Sequence, residues 1–406
     1  MTYDFDTIID RRGTNSENMD GWRAYIFHCG PERAFPYRDE EFIRMWVADM
    51  DFSVAPEILQ AIHERVDRKI LGYTLVSDEG FYEALEGWCR SRYGWTFPRE
   101  ELVFSPGVVP ALYQLVEDLV KPSDGKVLTM TPAYGFFLHA CEYNGVELLS
   151  SPLKQAEGRF VIDFDDLERK AADPAARMLL LCNPHNPTGR VWMQQELQHI
   201  GEIAVRNNLW IVSDEIHCDL LRCGLHHMPM AGALPDYPRL ITCMSASKTF
   251  NLAGMLLSEI FIRDPEERER FRFRDKTNGS LNPLSVAAHK AAYEHGGAWL
   301  EALKDYIDQN LALVGRFLQA HIPEAGFTMP EATYFAWVDL RRVLPYGTDL
   351  PLFFANNAGV LLEGGDGLFV GNAEGFVRLN LAIPRATLQT GLQRMADAIR
   401  AGNKKA

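Results

Sequence analysis

Leu240-Ile-Thr-Cys-Met-Ser-Ala-Ser-Lys-Thr-Phe250 is the stretch on which the reading of this chain turns. A strand-forming apolar run, Leu240 to Met244, gives way without a spacer to two serines and a lysine, Ser245, Ser247 and Lys248. A lysine in a loop is ordinarily a solvated surface residue. This one follows an apolar run, and four earlier runs end in the same manner. Leu102-Val-Phe104 leads into Ser105-Pro-Gly-Val-Val-Pro110, and Val127 to Met130 into Thr131-Pro-Ala-Tyr134. Met178 to Leu181 runs into Asn183-Pro-His-Asn-Pro-Thr-Gly189, and Trp210-Ile-Val212 into Ser213-Asp-Glu-Ile-His217.

Between about residues 100 and 265 such runs, the last of them Glu259 to Ile262, alternate with helical patterns. That alternation predicts a mostly parallel sheet with crossover helices, an α/β architecture. After Pro283 the pattern is helical through Leu318, then alternates like a strand at Thr333 to Asp339 and again at Phe376 to Asn380. The expected division is a large α/β domain over 48–284 and a smaller α+β domain made of 1–47 together with 285–406. A chain of 406 residues is long for a single compact core, which agrees with two units. In open parallel sheets ligands collect beyond the carboxyl ends of the strands, so the residues that follow the runs are the informative ones.

Each strand end has a plain explanation and a chemical one. Gly107-Val108, ahead of Leu112, Leu115, Val116 and Leu119 at helical spacing, opens a helix whose bare N–H groups suit an anion. An ordinary helix start with Pro110 in its first turn explains the same residues. Tyr134 is placed to lie over a flat ring or simply to pack. Asn186 stands in a proline-rich turn, which turn chemistry alone accounts for, yet its amide can donate to a ligand oxygen. Asp214 ends an apolar run, where a carboxylate is costly without a partner. A buried acid tying down a loop fits, and so does an acid facing a cationic ring nitrogen. Compatible groups at five successive strand ends favour a single site.

Composition removes other classes. The net charge of -14 and the lack of a Lys/Arg run leave no basic surface for nucleic acid. The longest apolar stretches are strand-sized, too short to span a membrane, and the first residues lack the apolar core of a signal peptide. A cytoplasmic protein with no membrane partner is expected. Seven cysteines, an odd number scattered along the chain, argue against a disulfide framework. Cys218, Cys223, His226 and His227 fall close together, but their spacing matches no compact zinc pattern, and no metal is expected.

Together Asn186-Pro-Thr-Gly189, Ser213-Asp-Glu215 and Ser245-Ala-Ser-Lys248 resemble fold-type I pyridoxal 5'-phosphate (PLP) enzymes, the class I/II aminotransferase superfamily. More narrowly, Trp46-Val-Ala-Asp-Met-Asp-Phe52, Gly72-Tyr73, Ser213 to His217 and Ala291 to Leu300 resemble the MalY/PatB group of cystathionine β-lyases and carbon-sulfur lyases. The likeness covers nearly the whole chain and implies an aspartate aminotransferase-like fold with PLP as cofactor.

By that resemblance, Lys248 is the Schiff-base lysine, Asp214 the partner of the pyridinium nitrogen and Asn186 the donor to the 3'-oxygen. Tyr134 stacks on the ring, and Gly107, Val108, Ser245 and Ser247 form the phosphate-binding region. His217, where many aminotransferases carry a tyrosine, counts among the cofactor contacts. Tyr73 reaches the phosphate from a neighbouring subunit, which implies a homodimer. Arg378 grips the carboxylate of an amino-acid substrate, and Ala48, in the first of the narrower motifs, belongs to the substrate side. A carboxylate about 4 Å from the ring nitrogen is worth roughly 4 kcal/mol at an effective dielectric near 20, about three pKa units, enough to keep the ring protonated near neutral pH. A second basic phosphate ligand is not evident in Thr249-Phe-Asn-Leu-Ala-Gly-Met255.

The implied activity is β-elimination at L-cystathionine or other L-cysteine S-conjugates, giving a thiol, pyruvate and ammonia. An aminotransferase acting on an L-amino acid and a 2-keto acid would use the same lysine, aspartate and arginine, and only the narrower resemblance favours the lyase. A non-catalytic PLP-fold sensor or regulatory partner ranks behind both, because the lysine, aspartate, asparagine and arginine are all retained.

Overall fold

The computed structural model describes residues 3–74, 78–156, 158–278 and 281–403. Residues 1–2 and 404–406, the outer ends of the expected smaller unit, lie outside the described residues. In chain order β1 (Ile43–Arg44), β2 (Leu102–Ser105), β3 (Lys126–Thr131), the short β4 (Ala133–Tyr134) and β5 (Glu147–Pro152) are followed by a hairpin of β6 (Lys154–Ala156) and β7 (Arg159–Val161). Next come β8 (Ala176–Cys182), β9 (Trp210–Asp214), β10 (Leu240–Met244) and β11 (Ser258–Ile262). Seven of these form one sheet in the order β2-β11-β10-β9-β8-β3-β5. All its pairings are parallel except the two made by β11. Since β11 alone is reversed, β2, β3, β8, β9 and β10 end on the same edge.

Successive side chains of a strand point to opposite faces, and here both faces are covered. Leu102, Phe104, Leu179 and Leu181 enter one buried cluster, while Val103, Met178 and Leu180 enter the other. Burial on both sides is why these strands read as unbroken apolar runs. Helix Val108–Leu119 covers one face with Ala111, Leu112, Leu115 and Val116, and helix Pro283–His295 joins the opposite cluster through Val286, Ala288, Ala291 and Ala292. The sheet has one strand beyond the six expected: β5 lies at its edge beside β3, where partial exposure leaves no apolar run to read.

The C-terminal part opens with helices Pro283–His295 and Gly297–His321. It continues through β12 (Gly326–Phe327), β13 (Phe335–Asp339), β14 (Val360–Leu361), β15 (Glu363–Gly364), β16 (Phe369–Val370) and β17 (Phe376–Asn380). An antiparallel sheet orders four of these as β12-β13-β17-β15. Pairing of β1 with β14 ties the N-terminal segment to this part, and pairing of β16 with β4 sets Phe369 opposite Tyr134. The second sheet is thereby brought against the carboxyl edge of the first. Among the described residues no helix is long and apolar enough to cross a membrane.

Candidate active site

Lys248 follows β10 in the short helix Ala246–Thr249. The turn into it is held by Ser245, whose Oγ accepts from the Ser247 N–H at 3.1 Å and donates to the Leu257 carbonyl at 2.8 Å. Lys248 Nζ donates to the Ala48 carbonyl at 2.7 Å. Around this amine is a cavity of about 250 Å3 whose wall includes Ala48, Gly107, Val108, Tyr134, Asn186, Asp214, His217, Ser247 and Arg378. Two residues expected at the site are not in that wall. Ser245 is occupied in shaping the turn, and Tyr73 projects into solvent at 101% exposure.

Burial sets the protonation chemistry. The Asp214 carboxyl, at the end of β9, is raised to about 7, chiefly by burial with Glu215 adding, while the Ile216 N–H donated to it at 3.2 Å and nearby Lys248 oppose the rise. Burial likewise lowers the Lys248 amine to about 8, with Arg378 adding and the Asp49 carboxylate opposing. His217 is held down to about 3 by burial and by the charges of Lys248 and Arg378, so its ring is neutral. That ring stands edge-on to Phe335 at 5.8 Å, with Nδ1 buried and unpartnered.

Arg378 reaches the cavity from β17, 1% exposed. It donates to Asn186 Oδ1 at 3.2 Å and the Trp46 carbonyl at 3.3 Å, pairs with the Glu363 carboxylate, and lies over the Phe335 ring at 4.0 Å. Thus Asn186, from the main sheet, meets Arg378, from the second sheet, in one hydrogen bond.

Residues 46–49 form a strap across this junction. Besides the bonds to Trp46 and Ala48, Asn380 Nδ2 donates to the carbonyls of Val47 at 2.7 Å and Asp49 at 2.6 Å, and the Tyr334 hydroxyl donates to Ala48 at 3.0 Å. Arg11 and Asn18 hold the Asp49 carboxylate. Sequence reasoning missed Glu363, Tyr334 and Asn380. The available signals were the acid at the end of the apolar run Val360-Leu-Leu362 and the asparagine two residues after Arg378.

Cys218, Cys223, His226 and His227 line a separate cavity of about 570 Å3. His227 Nε2 pairs there with Glu215 at 2.6 Å, and Cys218 Sγ lies 3.2 Å from the Tyr93 hydroxyl. Among the described residues no group of three or more His, Cys, Asp or Glu side chains is placed to hold a metal ion.

The family model for aminotransferase class I and II matches residues 40–395. The chain belongs to the class I and II aminotransferase family. Within that family it is 40% identical over 398 residues to cystathionine beta-lyase PatB of Bacillus subtilis, covering 97% of this chain and 99% of that protein. It is 30% identical to Protein MalY of Escherichia coli, covering 98% and 99% of the two chains. Among solved structures, the PLP-bound C-S lyase from Staphylococcus hominis superposes with a TM-score of 0.92 at 44% identity, covering 98% of each chain. The fold of this family member is aspartate aminotransferase-like, a mostly parallel sheet flanked by helices.

Proposed function

We propose that this chain is a PLP-dependent carbon-sulfur β-lyase that cleaves L-cystathionine or other L-cysteine S-conjugates to a thiol, pyruvate and ammonia. The observation that carries the reading is the meeting of the Lys248 amine, Asp214 carboxyl, Asn186 amide and Arg378 guanidinium in one cavity. The likeness to a cystathionine beta-lyase along nearly the full chain separates this reading from transamination.

The donor set suits PLP. Asp214 is a buried carboxyl that a cationic ring nitrogen would satisfy, and neutral His217 offers an unpartnered ring nitrogen beside it. The start of helix Val108–Leu119, with the Ser247 side chain in the same wall, suits the phosphate. A Cβ at Gly107 would stand 3.1 Å from Pro110 Cδ, so the smallest residue leaves the backbone open there. Tyr134 and Asn186 line the same cavity, where Tyr134 would hold the ring and Asn186 would donate to its 3'-oxygen. When bound, PLP supplies an electron sink for the substrate carbanion.

The chain's own residues do the rest. Arg378 binds the α-carboxylate with two prongs, which turns the Cα–H toward Lys248. With its amine lowered to about 8, Lys248 Nζ takes the Cα proton near neutral pH as general base. A thiol of pKa near ~8.5 then leaves the β-carbon as thiolate and takes a proton, and the released 2-aminoacrylate takes up one water to give pyruvate and ammonia. The strap at 46–49 links the two sheets at the cavity through the bonds its carbonyls accept from Lys248, Tyr334, Arg378 and Asn380. Tyr73, at 101% exposure beside exposed Ile70 and Leu71, supports a homodimer in which it reaches the cofactor phosphate of the second copy, and a cytoplasmic location belongs to the same proposal. The division at 47/48 and 284/285 into two units belongs to the same proposal.

The test is an assay of purified holoenzyme on L-cystathionine with and without a 2-keto acid. Pyruvate, ammonia and thiol formed without the acceptor are expected; turnover that requires the acceptor would make the protein an aminotransferase.

A further inference from the structure

Glu363, 4% exposed, stands in β15 directly across from Arg378 in β17, and its carboxylate is paired with that guanidinium. Arg378 also spends donors on Asn186 and the Trp46 carbonyl. A substrate carboxylate therefore meets an arginine whose charge is already balanced. Two carboxylates on one buried guanidinium leave a net negative charge out of water, which is costly, and carboxylates sharing a site retain a proton between them.

We propose that Glu363 is a positioning residue that takes up one proton from solvent as the substrate's α-carboxylate engages Arg378. The inference rests on the reading of Arg378 as the carboxylate anchor. Glu363 then stays beside the guanidinium as a neutral acid while the substrate supplies the negative partner. The charged groups facing Glu363 are Arg378 and Lys248, both of which oppose its protonation. The titratable groups are the phenols of Tyr25, Tyr134 and Tyr334, each pushed up by burial and so neutral at physiological pH. Burial outweighs the cations and raises the carboxyl to about 7, so the proton is available near neutrality.

The sign follows from linkage. Below about pH 7 Glu363 already holds its proton and carboxylate binding is level; above it, binding weakens by up to about tenfold per pH unit. Propionate is the probe, because it carries a carboxylate and no titrating amine. Its Ki as a competitive inhibitor of the holoenzyme is measured from about pH 6 to about pH 9, a span that brackets the linkage. In the wild type Ki should climb above pH 7. Glu363→Gln should flatten the climb and bind propionate up to about a hundredfold tighter at about pH 9, two units above the carboxyl's value. Glu363→Asp, which keeps the charge, should restore it, and in cystathionine cleavage the difference should fall on KM with the kcat profile unchanged in shape.

Parallel Ki profiles for wild type and Glu363→Gln would overturn the proposal. Should Glu363→Gln fail to bind cofactor, calorimetry of propionate binding to wild-type holoenzyme at about pH 9, in two buffers of different ionisation enthalpy, decides: about one proton taken up supports it, none overturns it. Arg378→Lys separates the two readings. Unchanged propionate inhibition in that variant sinks the anchor and this inference together. Weakened inhibition there, with Glu363→Gln tracking the wild type, sinks this inference alone.

Discussion

The carboxyl edge of the main sheet and the strap at 46–49 build one cavity by opposite means. Along the edge, each group is delivered by the strand that precedes it, and adjacent strands bring Asn186, Asp214 and Lys248 together through regular pairing. The strap offers backbone carbonyls and is fixed by side chains 200 to 333 residues away in sequence: Lys248, Tyr334, Arg378 and Asn380. Groups on the edge owe their place to a local unit, so substitutions there should change chemistry and leave position intact. Groups at the strap owe their place to long-range hydrogen bonds, so substitutions there should shift binding.

The largest effect is expected on the edge. Lys248→Ala removes the base and should lower kcat by about 10⁴-fold, with loss of the wild-type visible spectrum of bound PLP. An unchanged spectrum would break the assignment. Asp214→Asn comes next: losing about three pKa units of stabilisation of a protonated ring corresponds to roughly 10³-fold in kcat. The same variant should stabilise the cofactor-free protein. An acid whose folded pKa is raised holds its proton more tightly when folded, so its stabilising effect is complete below its unfolded value of 3.8 and is lost as pH rises through about 7. Asparagine has no such loss, and thermal unfolding of cofactor-free Asp214→Asn at neutral pH should occur at higher temperature than that of the wild type. A lower temperature would mean that this carboxylate is satisfied within the protein.

Smaller effects test the strap side. Arg378→Ala removes charged hydrogen bonds worth about 1.5–3 kcal/mol each, so kcat/KM should fall about 10²-fold, mostly through KM. Asn380→Ala touches no substrate but frees the carbonyls of Val47 and Asp49. Its cost of about 1–3 kcal/mol should appear as a lower unfolding temperature and a KM raised about tenfold. Should Asn380→Ala change kcat and leave KM alone, the contrast between the two regions fails.

The same contrast explains what could be read from sequence. Lys248, Asp214, Asn186 and Gly107 were legible because an apolar run followed by a polar turn marks a strand end without knowledge of the rest of the fold. Arg378 and Ala48 were reached only through family motifs; nothing local says that Trp46-Val-Ala-Asp49 crosses the cavity. Glu363 ends a readable apolar run, but its role depends on the register that sets it opposite Arg378, and pairing partners far apart in sequence leave no local pattern. Edge strand β5 was missed for a different reason, since partial exposure removes the apolar run that reveals a buried strand.

The most direct test of the central claim is the product balance of wild-type holoenzyme on L-cystathionine with no keto acid present, following thiol and pyruvate in the same reaction. Sustained release of homocysteine and pyruvate in equal amounts is expected, abolished in Lys248→Ala. No thiol or pyruvate, with about one equivalent per active site of the 2-keto acid of cystathionine itself and turnover only on addition of a keto acid acceptor, would overturn the lyase assignment.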